Sequence, residues 1–198
     1  MMKFAFRTRL WLISACLFAA SGSVIHAAEV GGVKLEDTVP LSSQELRLNG
    51  AGIRYKAIFK VYVAGLYLNA KKTTVADILA APGPKRMAIV MLRDVSAADF
   101  AESFMAGIQN NSDSAEQAKV ASQLKTFNDM FKTIPAMKKG DILAVDWIPA
   151  SGTQVLHNGK KLAEGIPDIA FYNVFLKIWL GEKPADGDLK RQLIGTAQ

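Results

Sequence analysis

A chain of 198 residues, half of them apolar, can bury one sizeable core and reads most simply as one domain. It carries 24 Lys and Arg against 18 Asp and Glu, but three of those cations (Lys3, Arg7 and Arg9) and no acidic residue stand in the first 27 positions. The remainder holds 21 basic against 18 acidic side chains and no basic stripe with interleaved aromatics, which excludes a nucleic-acid role; with Cys16 as the only cysteine it has no disulfide and no thiolate metal site.

The first 27 residues read as a signal peptide. A basic n-region leads to an apolar stretch, Leu10 to Ala20, and then to Ile25-His26-Ala27 as a cleavage site. Eleven apolar residues are too few to span a bilayer. Removal of the leader leaves residues 28–198 as a single exported domain, periplasmic or secreted, with no stable membrane insertion. Ile13-Ser14-Ala15-Cys16 offers a rival exit, a lipidated Cys16, but the apolar run is very short before that cysteine and continues past it.

Short strands are expected at Val33 to Leu35 and Gln44 to Leu48. Gly50 and Gly52 then supply flexible backbone for a turn, and Ala57 to Leu68 forms a strand too apolar to leave either face open. Arg54 sits between them, at the mouth of something buried, where it needs an anionic partner or solvent. Thr74 to Ala80 reads as a short helix closed by Pro82-Gly83, and Met87 to Arg93 as the next strand. Arg93-Asp94 suggests an ion pair or a contact at the helix entry.

Ser96, with Asp99 at the third following position, caps a helix whose buried face is Phe100, Phe104 and Ile108. Asn110 to Ser114 breaks it. A second helix is expected from Glu116 to Lys132 on the stripe Val120, Leu124, Phe127 and Phe131, ended by Pro135 and Gly140. Strands Ile142 to Ile148 and Thr153 to Leu156 follow, then a turn at His157 to Lys160 that leaves His157 on the surface. Ile169 to Leu180 is apolar on every side and predicts a sandwiched helix containing a buried Trp179; Asp188 to Ile194 closes the chain as a short helix. Strands, then helices, then strands, then helices give an α+β fold, an antiparallel β-sheet with helices packed on one face. One histidine and no cysteine outside the leader argue against a metal site, and no segment asks for a cofactor.

Asn49-Gly50-Ala51-Gly52-Ile53-Arg54 followed by Lys60 to Leu68, Leu92-Arg93-Asp94-Val95, Val145 to Pro149, and Phe175 to Pro184 with Asp188-Leu189-Lys190 behind it, resemble in that order the chalcone isomerase family. The likeness is to its non-catalytic fatty-acid-binding and bacterial branches, and it spans nearly all of the chain after the leader. It implies the chalcone isomerase-like fold, an open-faced β-sandwich with a small-molecule cleft between sheet and helices. Arg54 falls on the family's arginine. The catalytic hydroxyl positions do not carry over: Tyr62 stands for a threonine, Phe100 for a tyrosine, Gly107 near an asparagine and Ile178 near a further hydroxyl residue, so no residue is assigned a catalytic role.

The fatty-acid-binding branch uses an arginine and a tyrosine to hold a carboxylate. On this reading Arg54 and Tyr62 bind the head of an amphipathic carboxylate such as a fatty acid, and Phe100, Phe104, Phe171 and Phe175 line its tail. The structural alternative pairs Arg54 with a native carboxylate and leaves the phenylalanines as core. Two other functions stay open from sequence: an isomerase or lyase using Arg54 on an unknown substrate, and an envelope interaction module without ligand.

Overall fold

The structure, a computed structural model, describes residues 27–134, 136–162 and 165–196; the leader with Cys16, and Pro135, lie outside them. Strands β1 (Ala27–Val30) and β2 (Val33–Glu36) form a separate hairpin. The chain then lays down β3 (Thr38–Leu41), β4 (Gln44–Lys56) and β5 (Phe59–Leu68) as successive antiparallel neighbours. Helix α1 (Val75–Ala80) leads to β6 (Lys85–Met91) and to β7 (Val95–Ser96). A helical run follows: α2 (Ala97–Asn111), α3 (Ser114–Lys119) and α4 (Ala121–Phe131). Strand β8 (Ala136–Met137) pairs with β7, and β9 (Ile142–Ile148), β10 (Gly152–His157) and β11 (Lys160–Lys161) complete the sheet before α5 (Ile169–Leu180) and α6 (Gly187–Leu193).

The main sheet has seven strands in the order β11-β10-β9-β6-β5-β4-β3, every pairing antiparallel. Alternation along the strands sorts the core. Tyr62, Ala64, Leu66 and Leu68 of β5, with Met87, Ile89 and Met91 of β6, face the helices; Tyr67 and Ala88 face the other side with Leu41 and Leu46. The β1–β2 hairpin covers part of that second side, where a Cβ on Gly31 would stand 2.9 Å from Ile53 and one on Gly65 3.2 Å from Leu35. This explains why β5 is buried on both faces, as its composition predicts. Also on the second side, Arg86 and the buried Asp146 sit opposite each other on β6 and β9 in a bidentate pair of 2.6 and 2.7 Å.

The helices begin where their caps say. Thr74 accepts from the Asp77 amide, Ser96 from the Asp99 amide, and Asp113 and Glu116 form a capping box. The single helix expected over residues 116–132 is two, because Val120 leaves the helical region (φ −115°, ψ 18°) while burying its side chain. That kink turns Leu124, Phe127 and Phe131 into the core, so the stripe holds although the helix does not.

Three further expectations change. Gly50 and Gly52 are not at a turn: β4 runs unbroken through them and the chain reverses at Ala57-Ile58, with Ala57 at φ 52°. His157 is half-buried, its Nε2 2.9 Å from Asp141 Oδ2, because Asp141 also draws in Asn158 across the two-residue turn Asn158-Gly159. The ion pair expected at Arg93-Asp94 is present but rests on Asp94 alone, with Lys138 as its partner. Arg93 lies 5.0 Å over the ring of Phe59, and Asp94 accepts from Lys138 Nζ at 3.0 Å and from the Lys139 amide at 2.8 Å.

Candidate functional site

Two bulges in β4–β5 build the site. The first inserts Asn49 between Leu48 and Gly50, so that Gly50, Gly52 and Arg54 all point to the helical face. Asn49 donates 2.7 Å to the Leu193 carbonyl at the end of α6 and 3.0 Å to the Lys72 carbonyl, and accepts from the Lys72 amide. Helix α6 is thereby fastened along the strand, close enough that a Cβ on Gly50 would stand 2.0 Å from the Gln192 carbonyl oxygen. The glycines serve helix docking. Arg54 is the first position after the two glycines on that face to carry a side chain, and it lies by the N-terminal end of α6.

The second bulge shifts the register between Arg54 and Tyr55. It leaves Arg54 directly opposite Tyr62, so the two side chains emerge on one side of the sheet as neighbours across the hairpin. Tyr62 is buried, its ring edge-on to Phe100 at 6.4 Å. Its hydroxyl oxygen accepts 2.9 Å from Trp179 Nε1, and among the described residues no protein acceptor takes its proton. Burial pushes the phenol up to about 12, against smaller opposing influences from the Trp179 bond and from the charge and hydrogen bond of Arg54. Tyr62 is therefore a neutral donor at any ordinary pH, aimed by Trp179.

Arg54 is half-buried, and no carboxylate among the described residues comes within ion-pair distance of it. The nearby acid is Asp186, whose oxygens are occupied: Oδ2 accepts from the Tyr55 amide at 3.0 Å, and Oδ1 caps α6 through the amides of Asp188 and Leu189. The guanidinium spends part of its fork on the Tyr62 oxygen and meets no carboxylate among the described residues, so the rest of the fork and the phenol proton converge on the same space.

They face a cavity of about 500 Å³, within the roughly 300 to 1,000 Å³ usual for small-molecule sites. The hairpin gives it Arg54, Lys56 and Phe59; α2 gives Phe100, Ser103 and Phe104; α5 gives Ile178. Helices α2 and α5 approach closely at Gly107, where a Cβ would meet Ile178 at 2.9 Å, so this glycine sets the depth of the apolar wall.

Of the residues expected at the site, Arg54, Tyr62, Phe100 and Phe104 come together. Phe175 and Phe171 do not line the cavity. Four-residue spacing sets Phe171, Phe175 and Trp179 on one stripe of α5, and packing consumes it: Phe175 is 5.1 Å from Trp179 and 6.0 Å from Phe104, and Phe171 is 5.6 Å from Phe127. Sequence reasoning misses Trp179 as the partner of Tyr62, although a buried indole N–H always asks for an acceptor. It also leaves out Lys56 and Phe59, whose place at the mouth depends on where the hairpin turns.

A family model described as chalcone isomerase-like matches residues 27–195. No curated protein matches the sequence. Among solved structures 37 chains match. One is the crystal structure of a fatty-acid binding protein of Arabidopsis thaliana, 15% identical, with a TM-score of 0.66 over 82% of this chain and 92% of that one. At that identity the likeness is one of fold: an antiparallel sheet backed by helices.

Proposed function

The chain belongs to the chalcone isomerase-like family, and from that premise we propose that it binds an amphipathic carboxylate of the fatty-acid kind, its head on Arg54 and Tyr62 and its tail along Phe100, Phe104 and Ile178. The observation that carries this reading is the pair itself: among the described residues the Arg54 guanidinium has no carboxylate within ion-pair distance and turns towards the Tyr62 oxygen, while the Tyr62 hydroxyl, whose oxygen is already used by Trp179, has a proton to give. A carboxylate accepts from both at once, and a planar fork matches it better than a point charge does. The fatty-acid binding protein of similar fold agrees in kind. Proton-transfer chemistry finds less support, because Phe100 and Ile178 offer the cavity wall no group that would hold charge on a reacting oxygen.

Titration calorimetry with oleate and palmitate tests the clamp. Arg54→Ala should weaken binding about ten- to a hundredfold, Tyr62→Phe by about fivefold, and Arg54→Lys should lie between wild type and Arg54→Ala. Arg54→Ala and Arg54→Lys should fold as the wild type does, because neither strands a buried partner, whereas Tyr62→Phe leaves the buried Trp179 N–H without its acceptor and should cost about 1 to 3 kcal/mol of stability without preventing folding. Affinity should also fall below about pH 5 as the ligand acid takes up its proton, and stay level through pH 9 because Tyr62 remains protonated. Unchanged affinity in Arg54→Ala would rule the clamp out.

A further inference from the structure

Among the described residues the exposed large apolar side chains are four: Ile58 at 84%, Phe59 at 55%, Ile142 at 47% and Tyr55 at 40%. Scattered singly, such residues need no explanation. These four share one end of the sheet. Tyr55, Ile58 and Phe59 form the tip of the β4–β5 hairpin, and Ile142 opens β9 opposite Val90, one residue before Met91, which pairs with Tyr62. The same end carries Lys56, Lys60, Arg93, Lys138, Lys139 and Lys160, since the connections β6–β7, β8–β9 and β10–β11 all turn there. Its acids Asp94 and Asp141 are engaged by Lys138 and His157, while Asp99 and Glu102 stand across the cavity on α2.

We propose that this end of the molecule docks peripherally on an anionic phospholipid surface, with Ile58 and Phe59 entering the headgroup boundary and the surrounding lysines meeting lipid phosphates. An apolar tip ringed by cations is the combination that such a surface rewards: burial of the tip and attraction of the ring act together, and each cation near the surface contributes. No helix among the described residues is long and apolar enough to cross a membrane, so the contact is with the surface. Lys56, Phe59 and Arg93 belong to the tip and to the cavity mouth alike. The cavity therefore opens at the docking face, and an amphipathic acid would pass between bilayer and cavity without crossing water. That last step rests on the carboxylate reading; the docking does not.

Co-sedimentation of the purified protein with sucrose-loaded vesicles decides the matter. Partitioning onto phosphatidylglycerol–phosphatidylcholine vesicles should exceed that onto phosphatidylcholine alone by about tenfold or more and weaken with added salt. Ile58→Asp and Lys60→Glu, neither of which lines the cavity, should each lower it about tenfold while leaving the melting temperature unchanged. Three results would overturn the proposal: no partitioning at low salt, wild-type partitioning by Ile58→Asp, or a concentration-dependent dimer that Ile58→Asp abolishes, which would assign the tip to a second copy. Oleate titration without vesicles reports on the clamp separately. Its failure beside intact vesicle binding would remove the ligand and keep the docking surface.

Discussion

Lys85 shows how one residue can write a pH dependence into the fold. It opens β6 with no exposed surface, and its ammonium donates 2.9 Å to the Leu79 carbonyl in the last turn of α1. Burial lowers its pKa from 10.5 to about 8. Between those values the unfolded chain holds a proton that the native chain has given up, so stability rises with pH across pH 8 to 10.5; below pH 8 the cost of the buried charge is fully present. Tyr62 and Tyr67 act in the opposite sense. Burial raises both to about 12, and the stability they contribute is complete below pH 10 and lost from there towards 12. Urea unfolding of the wild type should therefore show a gain of roughly 1 to 3 kcal/mol from pH 7.5 to 9.5. Lys85→Met should flatten that gain. A flat wild-type profile would mean that Lys85 keeps its ordinary pKa.

At the scale of elements, the docking of α6 on β4 separates two glycines that look equivalent in sequence. A Cβ at Gly50 meets backbone, the carbonyl oxygens of Gln192 and Leu193, whereas one at Gly52 meets chiefly the end of the Gln192 side chain, which can swing away, and beyond it only the Gln192 Cβ at 3.0 Å. Among the described residues Gln192 Oε1 is buried without a partner, so moving it breaks no hydrogen bond there. Gly50→Ala should cost about 3 kcal/mol in urea unfolding and Gly52→Ala under about 1.5. Equal costs would mean that α6 does not lie where Asn49 fastens it. The same region marks the reach of sequence reasoning. Helix limits at Thr74, Ser96 and Ile169–Leu180 are legible because caps and apolar composition act within a few residues. The path of β4 is not, because Asn49, Gly50 and Gly52 answer to a helix more than 130 positions away, and glycine next to asparagine is also what a turn looks like. Arg54 and Tyr62 could be paired from parity alone, but the hairpin that makes them cross-strand neighbours depends on two bulges with no local signature. Phe175 fails as a cavity residue for the converse reason: its stripe is real, and packing claims it.

For the whole molecule, we propose that the leader is removed and the domain exported. The described chain tolerates a cut after Ala27, since it loses only the outermost rung of β1–β2, Ala27 opposite Glu36, and keeps Ala28 opposite Leu35. N-terminal sequencing of protein recovered from the cell envelope should return Ala28. A blocked Cys16 would instead make it a lipoprotein.

The cavity draws its walls from the β4–β5 hairpin, from α2 and its approach, and from the Ile178–Ala185 stretch near the end of the chain. A polypeptide delivered N-terminus first, whether from a ribosome or through a membrane channel, consequently has no walled site while only its strands and α2–α4 are out. Until residues 178–193 arrive, Trp179 cannot fix the hydroxyl of Tyr62, and the glycine face of β4 stands bare. Closure of the cavity waits for the segment after residue 178, and on the export proposed above a chain still threading a channel has no finished site to fill.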